Sequence, residues 1–430
     1  MRRVLRLPAY RRLLAAYSLN ELGWSVGTLA LAVLVYRHTG SAVGSAAFFL
    51  CSQFFPALLS PAVVSRIDQR APRRVLPSLY ALEAVLFGVL AWVASRFSLV
   101  PVLALATLDG IVAVAARALA RAATVGVLTP VGLLREGNAV TNGLFSVCFM
   151  AGPALGGLVV VSGGTVAALL VNSGLFAGIA LILVTGGALP AAPKQDTPAA
   201  GRLRAAIAHV RGDRVLRALL GVQTVALVFF TISTPVEVVL VQHSLHAGAG
   251  GYGAVLSSWG AGAVAGSAAY GRWRGLPARG LIAASAAALG VGFLVMAAAP
   301  SLLVAVIGAV VGGAGNGIES VAARTAVQEQ TPERWMALVM SFTESLTQAA
   351  PGAGFVLGGV IAALAGPRIA LGIAGAGSLV VTVTIWVVLR PRAGFHFLPA
   401  ARAGSDAAHE GSGAGSEGEP ASFPSSERLV

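Results

Sequence analysis

The sequence predicts an all-α membrane protein with twelve transmembrane helices in two pseudo-symmetric six-helix halves. Three observations predict it. Hydrophobic residues make up 56% of the 430 residues and charged residues only 11%, where a soluble domain carries about 25%. The charges are separated by apolar stretches long enough to cross a bilayer. The basic residues gather in every second loop. So few charges cannot cover a water-exposed surface of this size, which excludes a soluble enzyme and a disordered chain. The net charge of +13 alone would suit a nucleic-acid binder, but the placement of the basic residues accounts for it without one.

A spanning helix needs about 20 mainly apolar residues. Leu13 to Tyr36 carries only Glu21, and His38 to Ser65 carries no charge. Val75 to Ser95 carries only Glu83, and Phe97 to Ala116 only Asp109. Gly137 to Pro193 is uncharged and long enough for two spans, with a break expected at Ser162-Gly163-Gly164. Ala218 to Gly271 carries only Glu237 and divides around His243 to Gly251. Gly280 to Ile318 breaks at Pro300-Ser301. Trp335 to Pro367, with Glu344, and Ile369 to Leu389 complete the twelve.

Arg and Lys in short loops set orientation. With the N-terminus inside, 26 basic residues lie on the inner side and three, Arg37, Arg96 and Arg368, outside. The expected place is therefore the cytoplasmic membrane, multi-pass, with both termini cytoplasmic. The first span is too long for a cleaved leader and is expected to act as an uncleaved signal anchor.

Residues 1–188 form the expected N-terminal half, 189–217 a cytoplasmic linker, 218–392 the C-terminal half and 393–430 a disordered cytoplasmic tail. The Arg-rich linker suits an amphipathic helix on the inner surface. The Gly/Ser/Glu-rich tail lacks the apolar content to fold. The halves resemble each other at an offset of 202 residues. Thr129-Pro130 falls on Thr331-Pro332, Gly110 on Gly312, and Gly152, Leu155, Gly156 and Gly157 on Gly354, Leu357, Gly358 and Gly359. Parallel halves imply a transporter with a pseudo-two-fold axis along the membrane normal. Thr331-Pro332-Glu333 reads as the start of the eleventh helix.

Twelve spans, two halves and a basic loop after span two resemble the major facilitator superfamily, over about residues 8 to 392. In that family the loop carries Gly, Asp and a basic run. Here it reads Ser65-Arg66-Ile67-Asp68-Gln69-Arg70-Ala71-Pro72-Arg73-Arg74, without the leading Gly. The resemblance makes Asp68, Arg70, Arg73 and Arg74 a conformational latch; the alternative is that the arginines serve topology alone. Span five carries Gly152-Pro153-Ala154-Leu155-Gly156-Gly157, preceded by Gly143. This is similar to the superfamily's antiporter signature, with Cys148 in place of one upstream Gly; ordinary small-residue packing is the other reading. Arg121, Pro130 and Asn138-Ala139 are similar to the subgroup of enterobactin exporters and macrolide efflux proteins, which implies export of a drug- or siderophore-like molecule.

An ionisable group at mid-bilayer costs at least about 2.5–3.5 kcal/mol and normally faces a cavity or a partner. Glu21 lies ~14 Å into span one at 1.5 Å per residue, and Asp109 is equally deep from the outer edge of span four. Spans one, four, seven and ten line the cavity in the resembling family, which selects Glu21, Asp109, Arg117 and Glu319; Glu344 in span eleven is a further candidate. Arg117 and Glu319 share equivalent positions at the 202 offset. Tyr17, Asn20, Glu21 and Trp24 follow i, i+3, i+4, i+7 spacing and form one helix stripe. Gln223, Asn316 and Gln348 are weaker candidates. A carboxylate in a poorly hydrated cavity can exchange a proton while substrate competes for the same site. The alternative is a static ion pair. No phosphate loop, metal cluster or nucleophile–base set is visible, so no cofactor, metal or enzymatic activity is expected.

The expected function is secondary active transport by alternating access, as proton-coupled efflux of a small molecule. The expected partners are substrate, protons and lipid, not nucleic acid, with the chain a monomer. A facilitator, importer or lipid flippase on the same scaffold, and a non-transporting membrane sensor, are the alternatives.

Overall fold

The computed structural model describes residues 3–59, 72–186, 208, 210–272, 278–331 and 333–388. Most of the linker, the tail, Asp68 and Arg70 fall outside them. Arg73, Arg74 and Glu344 lie on helices whose side chains at these positions are also outside the description.

All regular structure among the described residues is helical. Helix α1 is Pro8–Thr39, closed by Gly40 at φ 58°, a backbone angle that favours glycine. Ser41 caps α2, Ala42–Phe49, by accepting from the Gly44 N–H at 3.3 Å. A π turn, Leu50–Phe54, extends α2. Next come α3, Pro72–Ser95, and α4, Leu99–Leu128.

The helical run Leu134–Val184 contains one non-helical residue, Gly164 (φ 80°, ψ 175°). It divides into α5 (134–163) and α6 (165–184) at the predicted glycine break.

In the second half, α7 is Arg214–Val239, continued by a π turn Leu240–Ser244. It starts inside the predicted linker, because Asp213 accepts from the Leu216 N–H at 3.0 Å and caps it. Then follow α8 (Gly248–Arg272), α9 (Ala278–Ala298), α10 (Leu302–Gln330), α11 (Glu333–Ala365) and α12 (Pro367–Val388). The Thr331 hydroxyl donates back to the Val327 carbonyl at 2.6 Å, so it is tied to the end of α10 as well as preceding α11.

Nine of the described helices are long and apolar enough to cross a membrane. The run 136–184 counts once although it is two spans long, and of α11 only the stretch Ala349–Ala365 is counted, as a shorter apolar helix among the described residues. Helix α8 is rich in glycine and alanine, which are only weakly apolar. Large apolar side chains such as Val100, Leu158 and Leu364 point outward, as they do toward lipid.

Small residues set the helix crossings, as lipid supplies no hydrophobic drive between spans. A Cβ on Gly152 would lie 2.6 Å from Ser25, and one on Gly156 would lie 3.1 Å from the Val26 backbone, both on α1. A Cβ on Gly157 would meet Ala249 and Gly253 of α8 at 3.1–3.2 Å. The second half repeats this. Gly354 and Gly358 pack on Thr231 and Ile232 of α7, and Gly359 packs on Ala42 and Ala46 of α2. The 202-residue repeat is therefore geometric: α5 crosses α8 where α11 crosses α2. Phe49 and Phe355 (5.8 Å between centroids) and the Arg37–Gln242 hydrogen bond (3.3 Å) add to the same seam.

These contacts lie at the end where α1 closes on Gly40. There one hydrophobic core joins both halves, from Leu34 and Phe49 to Val236, Tyr252 and Phe355. At the opposite end the second half keeps its own cluster, with Leu216, Leu220, Ile282, Ala326, Val339 and Ile385. Val4, Tyr10 and Leu128 form another there in the first half. The halves are joined at one end and separately cored at the other.

Candidate functional site: two cavities beside buried charge

The first cavity, of about 40 Å3, sits within the first half. Asn20 and Trp24 of α1, Ser52 and Gln53 of the α2 π turn, and Asp109 and Arg117 of α4 line it, together with Phe87 and Phe176. A water needs roughly 10–15 Å3 by this kind of measure, so the cavity has room for a few waters and not for an organic molecule. The π turn contributes to its shape: a Cβ on Gly110, one residue from Asp109, would lie 2.5 Å from the Ser52 carbonyl oxygen. Backbone widening of this kind recurs at functional sites.

Arg117 is the electrostatic centre of this region. Its guanidinium acts on Asp109, on Glu21 of α1 and on Glu83 of α3. Arg121 also acts on Glu21, and on Tyr17. Glu83 is 0% exposed, and neither of its oxygens has a hydrogen-bond partner. One oxygen of Asp109 is buried in the same state. Asn172 of α6 is 0% exposed, both of its amide atoms are unpartnered, and it packs on Gly23 and Gly27 of α1. Native proteins seldom leave so many buried polar atoms unsatisfied in one place without a role for them.

The predicted α1 stripe divides. Asn20, which is buried, and Trp24, at 37% exposure, line the cavity. Tyr17 and Glu21 are half-buried on the same helix but do not line the cavity. Asn172 is the residue the sequence leaves without a role, and Glu83 is read there only as a weaker acid of span three. A lone acid in an apolar stretch and a lone amide in an uncharged one were the available signals.

The second cavity, of about 220 Å3, lies within the second half. Gln223 and Phe230 of α7, Asn316, Glu319 and Ser320 of α10, and Thr343 and Thr347 of α11 line it. Glu319 is therefore not gathered with Asp109 and Glu21 but faces a chamber of its own. Gln223 and Asn316 have a firmer place than sequence gave them. The predicted span-five motif is partly at the seam: Gly152, Gly156 and Gly157 meet neighbouring helices, Pro153 lies beside Gly253, and Gly143 faces open space. Cys148, 3.8 Å from the Ser18 carbonyl, takes part in the α1 contact one turn before Gly152.

A bundle of two like halves, joined at one end and hollow beside buried charges, has the architecture of a major facilitator transporter. The chain belongs to the transmembrane secretion effector family of that superfamily, whose profile matches residues 4–398. No curated protein matches. Among solved structures, the nucleoside transporter NupG superposes with a TM-score of 0.72 at 12% identity, covering 89% of this chain and all of that one. A bacterial homologue of the iron transporter ferroportin, in an inward-facing state, gives 0.71 at 14%, covering 90% and 100%. A POT family transporter in complex with a thioalcohol-conjugated peptide gives 0.64 at 13%, covering 88% and 95%. These likenesses concern the fold. The chain is a multi-pass membrane protein of a transporter family.

Proposed function

We propose that this transporter exports a small molecule in exchange for protons, by rocking its two halves about the joined end. The observation that carries this reading is the group Glu21, Glu83, Asp109 and Arg117, held across α1, α3 and α4 beside a water-sized cavity. Three carboxylates near Arg117 leave an excess of negative charge that protons can offset. Asp109 stands between a water-poor surrounding, which opposes its charge, and Arg117, which favours it. A shift of α1 or α3 against α4 changes that balance, so loading and release of a proton follow the conformation.

The 26 basic residues against three support a cytoplasmic N-terminal end of α1, in a monomer of twelve spans in the cytoplasmic membrane. On that reading the joined end is extracellular and the state is open inward. The proline in α5 and the glycines facing α1 and α8 form the surface on which the halves pivot. Asp68, Arg70, Arg73 and Arg74 serve as the inner latch in the outward state. The sequence likeness to enterobactin and macrolide exporters supports a drug- or siderophore-like cargo.

A susceptibility screen of a deletion strain identifies such a cargo. In everted vesicles that cargo then dissipates an imposed pH gradient, and Asp109→Asn or Glu21→Gln abolishes the effect. Normal proton exchange by both variants would sink the reading.

A further inference from the structure

The second cavity has a chemistry that the first lacks. Among the described residues that line it, Glu319 is the one acidic group and none carries a positive charge. The carboxylate is ringed by amides and hydroxyls: Gln223, Asn316, Ser320, Thr343 and Thr347. One face is apolar, with Phe230, Leu227 and Leu289. Independently of the acid, the Gln223 side-chain oxygen is buried without any partner. An unsatisfied acceptor beside an uncompensated carboxylate is a site that lacks its donor.

From this we infer that the α7–α10–α11 cavity binds an organic cation, with Glu319 pairing its charge, Phe230 lying against its apolar part and Gln223 accepting a hydrogen bond from it. The volume agrees. About 220 Å3 is below the range of pockets for drug-sized ligands, 300–1,000 Å3, and fits a compact amine or the ammonium-bearing arm of a larger molecule. An aromatic ring adds cation–π attraction for such a group. The 202-residue repeat sharpens the point. Arg117 in the first half and Glu319 in the second occupy equivalent positions, and each lines the cavity of its own half. The repeated scaffold thus presents a cation to one chamber and an anion to the other.

The inference rests on the transporter reading in one respect only, that the chamber receives cargo. Its test needs no gradient and no transport, so it can fail while proton exchange stands, and the reverse. The probe is phenethylammonium, a cation at neutral pH whose N–H groups can reach both Glu319 and Gln223. Its neutral counterpart is the alcohol 2-phenylethanol, of nearly the same shape. Equilibrium dialysis against the full-length protein in detergent reads binding of each.

The expected result is one cation bound per chain, with the alcohol at least tenfold weaker. Glu319→Gln lowers cation affinity at least tenfold and leaves the alcohol unchanged, while Glu319→Asp keeps part of the preference. Should Glu319→Gln unfold in detergent, the double variant Thr343→Val, Thr347→Val and the single variant Phe230→Leu serve instead, each expected to weaken the cation severalfold. Equal binding of cation and alcohol, no saturable cation binding, or full affinity in Glu319→Gln would each overturn the proposal.

Discussion

The two halves share one scaffold and solve buried charge in opposite ways. In the first, three carboxylates lie in the field of Arg117, and the cavity lined by Asp109 and Arg117 admits only waters. In the second, Glu319 stands among neutral polar groups in a chamber more than five times larger. The repeat fixes where a charge sits, on α4 or α10 at the same depth. The neighbours contributed by α1, α3, α7 and α11 decide what it does. Several carboxylates near one guanidinium, beside space for waters alone, suit protons. A lone carboxylate beside a larger space suits a cation that brings the counter-charge.

The sharpest way to break the comparison is to remove the guanidinium. Arg117→Ala leaves buried carboxylates without their counter-ion, a class of change that costs about 3–5 kcal/mol. A marked fall in the unfolding midpoint in detergent, several degrees larger than for Glu319→Gln, is expected. If the two variants behave alike, the halves do not differ as described.

The next effect concerns the pivot. Gly157→Val puts a branched side chain against the α8 backbone, where a single Cβ already makes contact at 3.1 Å. Close small-residue packing is what holds these helices together. Export measured in whole cells is expected to fall at least tenfold, and Gly359→Val, its repeat partner against α2, is expected to match it. Retained export in only one of the pair would mean the two crossings are not equivalent. Gly143 offers the contrast within α5. It faces open space, so Gly143→Ala is expected to leave the unfolding midpoint unchanged or slightly higher, by the better helix propensity of alanine. The smallest effect is expected at the cap of α2. Ser41→Ala removes its bond to the Gly44 N–H and should cost about 1 kcal/mol, read as a small shift of the same midpoint.

Much of this arrangement was legible in the sequence, and the reasons are local. Bilayer thickness forces long apolar runs, so span positions follow from charge spacing. The breaks at Gly164 and after Ala298 follow from turn chemistry. The 202-residue repeat was visible in glycines because close crossings tolerate little else, and the structure gives those glycines matching neighbours. Charge and the helix stripe point to Asn20, Trp24, Asp109 and Arg117, and these four line one cavity.

What stayed hidden depends on which way a helix is turned about its axis. Glu83 reads as one acid in an apolar run, and only the rotation of α3 buries it beside the field of Asp109 and Arg117. Asn172 needs α6 to face Gly23 and Gly27 before its amide has a meaning. One central cavity was expected from the resemblance. Two chambers are found, because Asn20 and Asp109 face into their own half and Glu319 into the other.

The central claim is that the first half handles the proton. The most direct test is the pH gradient across everted vesicles holding wild-type protein or Asp109→Asn at equal amounts, challenged with a cargo from the susceptibility screen. The account predicts collapse of the gradient with wild type and none with Asp109→Asn. An equal collapse with Asp109→Asn, and again with Glu21→Gln and Glu83→Gln, would contradict it.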